Sequence, residues 1–445
     1  MNTDHQKKEV LNSCIYVLYL IFLSSLVFAF RAVSSMAIVA IFIAEIILNR
    51  SALTSLFQKN IQTPLLAGYF VLFLLQLIAL FYTNNTQEGW SNIRIKTGLV
   101  ITPLAIAISS FINGTTRKRL LSHYCLVLVV ATLYCLCISL MHYLESGDSS
   151  LFFYHSLVKP IHQHAVYFSL LVMVGLIFLL EDIIQTDFFF PRLLYISLTV
   201  YLSVFLLLLS SKLVILFYLV YLLFWFARLF KNNRMKKLTT IIILAFSILI
   251  VSLVFATRNP ISNRFYEIVK GDIKLVKQNN FKKSDYFNGL QFRLLQWRFV
   301  NEILTEHKRW LIGVSPGDAQ SILEEKYLSK NMYSGDLAKG SRGYLIYNTH
   351  NQFLQTVLQN GIIGLLVLLV ICFSLLKMAL QDRSWYTRSI ILLLMVWLFT
   401  EAAFETQYGI MIFTFFPLFI YTNKPGLITE QNKKHDLRKD QPLPF

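Results

Sequence analysis

The segment NTHNQFLQTVLQNGIIG, residues 348–364, sets a histidine, His350, at the mouth of an apolar run. Asn348 or Thr349 can cap a helix beginning near His350, and the positive end of the helix dipole then disfavours an imidazolium. A neutral imidazole can take a proton from a hydroxyl, which is general-base chemistry; the plainer role is a cap or an interface contact. Cations come from two other places. In QFRLLQWRFVNEILTEH, residues 291–307, Phe292, Leu295, Phe299 and Ile303 form one helical stripe. Val300, Leu304 and Trp297 widen that stripe on the side of Arg293, whereas Arg298, Glu302 and Thr305 fall opposite. A guanidinium beside apolar packing needs an anion or a hydrogen-bonding partner, by an internal salt bridge, by snorkelling or by a ligand. The second cation is Lys212 in Ser210-Ser211-Lys212, where a turn must divide apolar residues 191–230. A compact ammonium suits either a phosphate or the membrane interface.

Other residue types support this chemistry without supplying a separate one. Glu401 and Glu405 are spaced one turn apart near the end of an apolar run, which favours orienting a site cation or His350. If the helix from His350 is continuous, Gly361 lies about three turns on, on the same face, with Gly364 near the same line; small residues there admit a neighbouring helix. Arg342, Lys339 and Arg264 are further loop cations that suit either an anion or a solvated basic surface. His155, His162 and His164 have no nearby carboxylate and irregular spacing, a weak metal pattern, so no metal is expected.

The elements that position these groups must be mostly membrane helices. The chain has 445 residues, 56% hydrophobic and 15% charged, with a mean hydropathy of +0.56. That is more apolar surface than one soluble core hides. About twelve runs approach the roughly 20 residues needed to span a bilayer: 11–30, 33–49, 64–83, 97–113, 121–143, 166–181, 191–209, 213–230, 237–256, 359–376, 386–402 and 408–422. The fold class expected is therefore an all-α polytopic membrane protein. With the amino terminus inside, Arg117, Lys118, Arg119, Arg228, Lys231, Arg234, Lys236 and Lys237 are cytoplasmic, and the short outside loops keep only Arg31, Arg94, Lys96, Lys159 and Lys212. The positive-inside rule prefers this orientation, with both termini cytoplasmic. The formal charge of +17 then belongs to membrane lipids and an outside loop, not to nucleic acid. Five cysteines, all in apolar runs and without CxxC spacing, imply no disulfide framework.

Four regions follow: helices 1–9 in residues 1–256, a large and mainly helical outside loop in 257–349, helices 10–12 in 350–422, and a polar tail in 423–445. The loop carries enough Phe, Leu, Tyr and Trp to fold against the membrane surface.

His350-Asn351, nine residues, then Gly361-Ile362-Ile363-Gly364 resembles the signature of the O-antigen ligase and O-antigen polymerase superfamily. FRLLQW, with Arg293 four before Trp297, resembles that family's arginine-tryptophan segment; IGVSPGD resembles the glycine-rich turn after it, and TEAAFETQYGI, residues 400–410, is similar to the end of related ligases. Lys212 stands where many members have arginine after serine, and Ser315 where the turn usually has glycine. The resemblance implies a bacterial inner-membrane glycosyltransferase, active on the periplasmic side without cofactor or metal. It would move glycan from undecaprenyl diphosphate to a hydroxyl, on lipid A-core for a ligase. By position, His350 would activate the hydroxyl, Arg293 and Lys212 would bind diphosphate, Asn351 and Arg342 would join the substrate contacts, and Trp297, Gly361, Gly364, Glu401 and Glu405 would support them. A polymerase, which takes a second lipid-linked glycan as acceptor, and a protein O-glycan ligase share this logic. A flippase or transporter, the rival from another class, would be expected to carry internal repeats and polar or broken helices at mid-membrane, whereas here the polar constellation lies toward the outer surface.

Overall fold

The computed structural model describes residues 2–48, 63–184, 191–231, 262, 266, 273–336, 341–382 and 384–421. The expected run 237–256, the tail 423–445, Arg264 and Lys339 lie outside them. The regular structure among the described residues is all helical, with no strand. In chain order the helices are α1 (Asn2–Val27), α2 (Arg31–Leu48), α3 (Thr63–Ala79), α4 (Thr86–Lys96), α5 (Gly98–Ala107), α6 (Gly114–Ser146), α7 (Tyr154–Val158), α8 (Ala165–Ile184), α9 (Arg192–Leu208) and α10 (Lys212–Lys231). They continue with α11 (Gly289–Glu306), α12 (Ala319–Ser329), α13 (Gln352–Gln381), α14 (Trp385–Leu398) and α15 (Gln407–Ile420).

Every expected run other than 237–256 coincides with a described helix, but by length and composition 7 of these helices can cross a membrane. Three more, Leu193–Leu208, Trp385–Leu398 and Gln407–Ile420, are apolar but shorter. For the run 97–113 the reason is local. α5 stops at Ala107 because the chain unwinds into Glu45 of α2, whose carboxylate accepts the Ser109 hydroxyl and, at 2.9 Å, the Ser110 N–H. A buried carboxylate thereby takes donors that a longer helix would have spent on itself. The chain is a multi-pass membrane protein.

α8 lies at the centre. Its residues are buried on every side from Tyr167 to Ile183, as expected for a helix apolar all round and surrounded by other helices. The bundle has two distinct ends. At one, Arg228 of α10 pairs with Glu181 of α8 and stacks over Trp385 of α14, while Lys118 of α6 pairs with Asp182. At the other, Gln163 binds the Leu26 and Val27 carbonyls, Gln407 binds Ser35, and Lys96 pairs with Glu405. The described loop residues 273–336 and 341–349 sit at this second end, here termed the loop end. They have their own apolar cluster, built from Phe281, Phe287, Phe292, Leu295, Phe299 and Tyr327, with Val357 and Leu358 contributed by α13.

Candidate functional site

Arg293 is set by the start of α11. Asn288 caps that helix through the Leu290 and Gln291 amides, and Gln291 returns the bond to the Asn288 N–H. This reciprocal cap fixes the first turn and, one turn on, the guanidinium. Its Nη1 donates to the Gly289 carbonyl at 3.0 Å and its Nη2 to the Thr400 carbonyl at 3.1 Å, with Nη2 also 3.7 Å from Glu401 Oε1. The stripe Phe292, Leu295, Phe299 and Ile303 is buried, as the periodicity predicts. Two neighbours differ from expectation. Trp297 is 42% exposed and does not widen the stripe. Arg298 is not merely solvated: it binds Glu302, the Val276 and Gln278 carbonyls and Asn279, stapling the turn Ile273–Lys277 to α11.

His350 is not in the first turn of a helix. It has φ +44, and the helix is capped one residue later by Asn351, whose Oδ1 accepts the Leu354 N–H at 3.0 Å. Asn348 instead accepts the His350 N–H at 3.0 Å. Left-handed backbone at a non-glycine is costly and persists where surroundings hold it. Here the holders are Asn348 and Asn351, whose Nδ2 also donates to the Phe399 carbonyl at 3.1 Å. Both polar atoms of Asn351 are thus engaged in placing His350 against the α14–α15 connection. The imidazole Nδ1 lies 3.5 Å from Glu401 Oε2, which turns Nε2 away from the carboxylate.

Glu401 therefore lies between Arg293 and His350, one oxygen toward each. Burial raises its pKa, but the His350 contact and then Arg293 outweigh that effect and leave the carboxyl below its ordinary value. The expected shared face with Glu405 does not form, because α14 ends at Leu398 and both glutamates sit in the connection. Glu405 turns to Lys96 at 3.4 Å and accepts from Gln359 at 2.8 Å. Lys96 is 2% exposed and donates as well to Gln76 and Gln359. Burial lowers its pKa, with Glu405 acting in the opposite sense.

The glycines do something other than admit a neighbouring helix. At Gly361, φ +63, α13 breaks, and the facial argument from His350 to Gly361 fails with it. In an unbroken helix the Ile362 and Ile363 amides would donate to the Leu358 and Gln359 carbonyls. Instead they donate to the Trp310 and Leu311 carbonyls, at 2.9 and 3.3 Å, while the Leu358 and Gln359 carbonyls accept Val314 and Ser315, at 2.8 and 3.2 Å. The glycine-rich turn thus replaces one turn of α13, bond for bond. A Cβ on Gly361 would strike the Leu311 carbonyl, and one on Gly313, φ +73, would strike the Gln359 backbone. Gly364 makes room for its own helix's Asn360 and Thr356; the close approach of α3 to α13 comes from Gly68, where a Cβ would lie 2.7 Å from Ile371. Ser315, at the position where glycine is usual, keeps φ +85, and its hydroxyl exchanges hydrogen bonds with Asp318 at 3.1 Å. Asp318 in turn accepts the Asn84 and Asn85 amides, so the turn is also tied to the end of α3.

The structure thus brings His350 and Arg293 together on one carboxylate, beside a loop locked into a broken helix. Residues 197–369 match the O-antigen ligase family model. The ligase resemblance is thereby shown over that stretch, which holds Lys212, Arg293, His350 and Gly361. No curated protein matches the chain. Glu401, Glu405 and Lys96 lie outside the ligase-matched stretch; Glu401 joins Arg293 and His350 through the fold, and Glu405 pairs with Lys96 instead.

The other expected members of a ligase site are placed as follows. Lys212 opens α10 at the loop end, since Arg228 near the other end of that helix sits over Trp385, the first residue of the antiparallel α14. Arg342 is bound to Glu324 at 3.0 Å on an exposed surface and is not in the Arg293–Glu401–His350 group. The His155 and His164 rings meet edge to face with centroids 4.5 Å apart, and no metal-holding group occurs among the described residues. The five cysteines are free. Sequence reasoning missed Lys96 as a site neighbour; its signal was a lysine immediately before the apolar run 97–113, readable only as an interfacial charge.

Proposed function

We propose that the chain is an inner-membrane glycosyltransferase of the O-antigen ligase type, working with the loop end in the periplasm. The donor is a glycan on undecaprenyl diphosphate and the acceptor a hydroxyl on lipid A-core. In this reading the acceptor oxygen attacks the anomeric carbon as the sugar–diphosphate bond breaks. His350 takes the hydroxyl proton through Nε2, Glu401 holds the ring by the Nδ1 side, and the departing diphosphate carries away the bonding electron pair. Arg293 meets that growing charge. Its two carbonyl bonds use only part of a guanidinium with five N–H donors, and its side chain is 30% exposed. Lys212, at the same end of the bundle, supplies a second cation. Charge that grows only in the transition state is what fixed cations stabilise best.

The observation that carries this reading is the convergence of Arg293 and His350, remote in sequence, on the two oxygens of Glu401. The test is reconstitution with a defined diphosphate-linked glycan, offered core lipid and a second lipid-linked glycan together, with products weighed by mass spectrometry. Glycan joined to core lipid supports the ligase; an elongated lipid-linked glycan assigns the polymerase; no transfer to either acceptor defeats both and leaves a protein hydroxyl as the acceptor to be offered next.

A further inference from the structure

The lock between the glycine-rich turn and α13 has a definite depth. Counting back from Gln381, at the end of the bundle opposite the loop, about 20 helical residues at 1.5 Å each reach roughly 30 Å, the thickness of a hydrocarbon core, near Ile362. An independent count along the neighbouring span gives the same level. Thr63–Tyr82, which starts at the opposite end, is 20 residues long and finishes at Tyr82, whose hydroxyl donates to the Ile312 carbonyl at 2.8 Å. Two spans therefore put the 310–312 segment at the hydrocarbon edge.

The side chains at that level fit lipid. Leu311 is 63% exposed, Trp310 39% and Phe81, next to Tyr82, 92%. They continue the exposed apolar surface of α13 at Ile362, Ile363 and Leu366. His307, Lys308 and Arg309 precede them, all exposed, with Arg309 over the Tyr82 ring at 5.8 Å from its centroid. Cations beside an aromatic and an aliphatic side chain are the composition of a membrane interface. The backbone agrees. Irregular chain at the apolar edge is tolerated only where its polar groups are satisfied by protein, and the Trp310 and Leu311 carbonyls are satisfied by the two amides freed at Gly361.

We propose that the Trp310–Leu311 turn, with Phe81, is a membrane anchor that seats the loop cluster on a phospholipid leaflet. The partner is the leaflet itself, its acyl region taking Leu311 and Phe81 and its phosphates facing Lys308 and Arg309. The His350–Glu401–Arg293 group is thereby kept at a fixed height above the lipid.

The test is depth measurement with nitroxide labels in the full chain. Cys14 and Cys137, the exposed thiols, are replaced by Ser, leaving the three buried ones in place. Single cysteines are then introduced as Leu311→Cys, Phe81→Cys, Val370→Cys and Lys283→Cys, all at exposed side chains, and the labelled proteins are reconstituted in phosphatidylethanolamine and phosphatidylglycerol vesicles. Collision with oxygen is compared with collision with a water-soluble nickel chelate. The labels at 311 and 81 are expected to lose nickel collisions and lie closer to the mid-span label at 370 than to the loop label at 283. Either label matching the one at 283 overturns the anchor. The labels at 370 and 283 differ only if the protein has inserted and folded, so a misfolded preparation identifies itself.

Discussion

Both ends of the bundle bury charge, and they do it differently. At the opposite end, Glu181 accepts both terminal nitrogens of Arg228, Nη2 at 2.9 Å, and the Tyr221 hydroxyl at 2.7 Å; Asp182 faces Lys118 at 3.3 Å and accepts Tyr386 at 2.7 Å. Glu181, Asp182, Arg228, Lys118 and Tyr386, with Arg117, line a cavity of about 460 Å³ between α6, α8, α10 and α14. At the loop end Lys96 is held in a similar way by Glu405, Gln76 and Gln359, but the Glu401 carboxylate is shared between Arg293 and His350 through longer contacts of 3.7 and 3.5 Å. Close multiple bonds spend the capacity of both partners on holding helices together. Longer, shared contacts orient two groups while leaving each able to meet a substrate.

The sharpest way to break this comparison is to remove one member at each end. His350→Ala is expected to lower transfer by about a hundredfold to ten-thousandfold, the usual range for a positioned acid–base group, with the protein still folded in the membrane. Glu181→Gln is expected to leave the turnover of folded protein near the parent value but to cost about 3–5 kcal/mol of stability, because Arg228 then loses its buried counter-charge. Transfer assays and thermal unfolding in detergent, run on both variants, read the two effects separately. Full activity in His350→Ala would remove the general-base assignment.

Next in size is the lock. Gly361→Ala forces a side chain into left-handed backbone and against the Leu311 carbonyl, so at least about 2 kcal/mol of stability should be lost together with activity. The loss should show as faster proteolysis within residues 307–317 while the opposite end stays protected. If cleavage rises equally at both ends, the lock is not a local device.

How far the sequence reached follows from these same residues. Helix class and the buried stripe of α11 were readable because apolar period reports a packed face directly. His350 and Arg293 were readable as candidates because a histidine and an arginine bordering apolar runs need partners. Their partner, Glu401, was visible only as one of a pair on a helix, since nothing in TEAAFETQYGI announces that α14 ends at Leu398. For Gly361 the shared face with His350 stood only on condition of an unbroken helix, because the sequence alone does not tell a glycine that admits a helix from one that breaks it. The bonds that make the break tolerable come from residues 310–315, about fifty positions away in the chain. Arg342 shows the converse: a loop cation near the motif in sequence is engaged elsewhere by Glu324.

The Arg293 comparison sharpens with a changed control. Arg293→Ala is expected to cost about tenfold to a hundredfold in transfer, the worth of about 1.5–3 kcal/mol from bonds to a charged group. Arg298→Ala should cost stability of the loop cluster and not turnover, because Arg298 caps carbonyls around residues 276–279. A variant at 298 with stable protein and lost turnover would transfer the anion-binding role away from 293.

The smallest expected effect is in pH. Glu401 titrates below the ordinary carboxylate value of 4.5 in the folded chain, so its ionised form is favoured by folding. The stabilisation it contributes is complete above that ordinary value and is lost as pH falls through the folded pKa. Glu401→Gln removes the charge at every pH. The difference in thermal midpoint between parent and variant should therefore be largest well above pH 4.5 and shrink as the parent is acidified from there through its folded pKa. A difference that stays constant until the parent unfolds in acid would mean that Glu401 holds Arg293 and His350 through shape and not through charge, and the loop end would then resemble the opposite end more closely in geometry than in electrostatics.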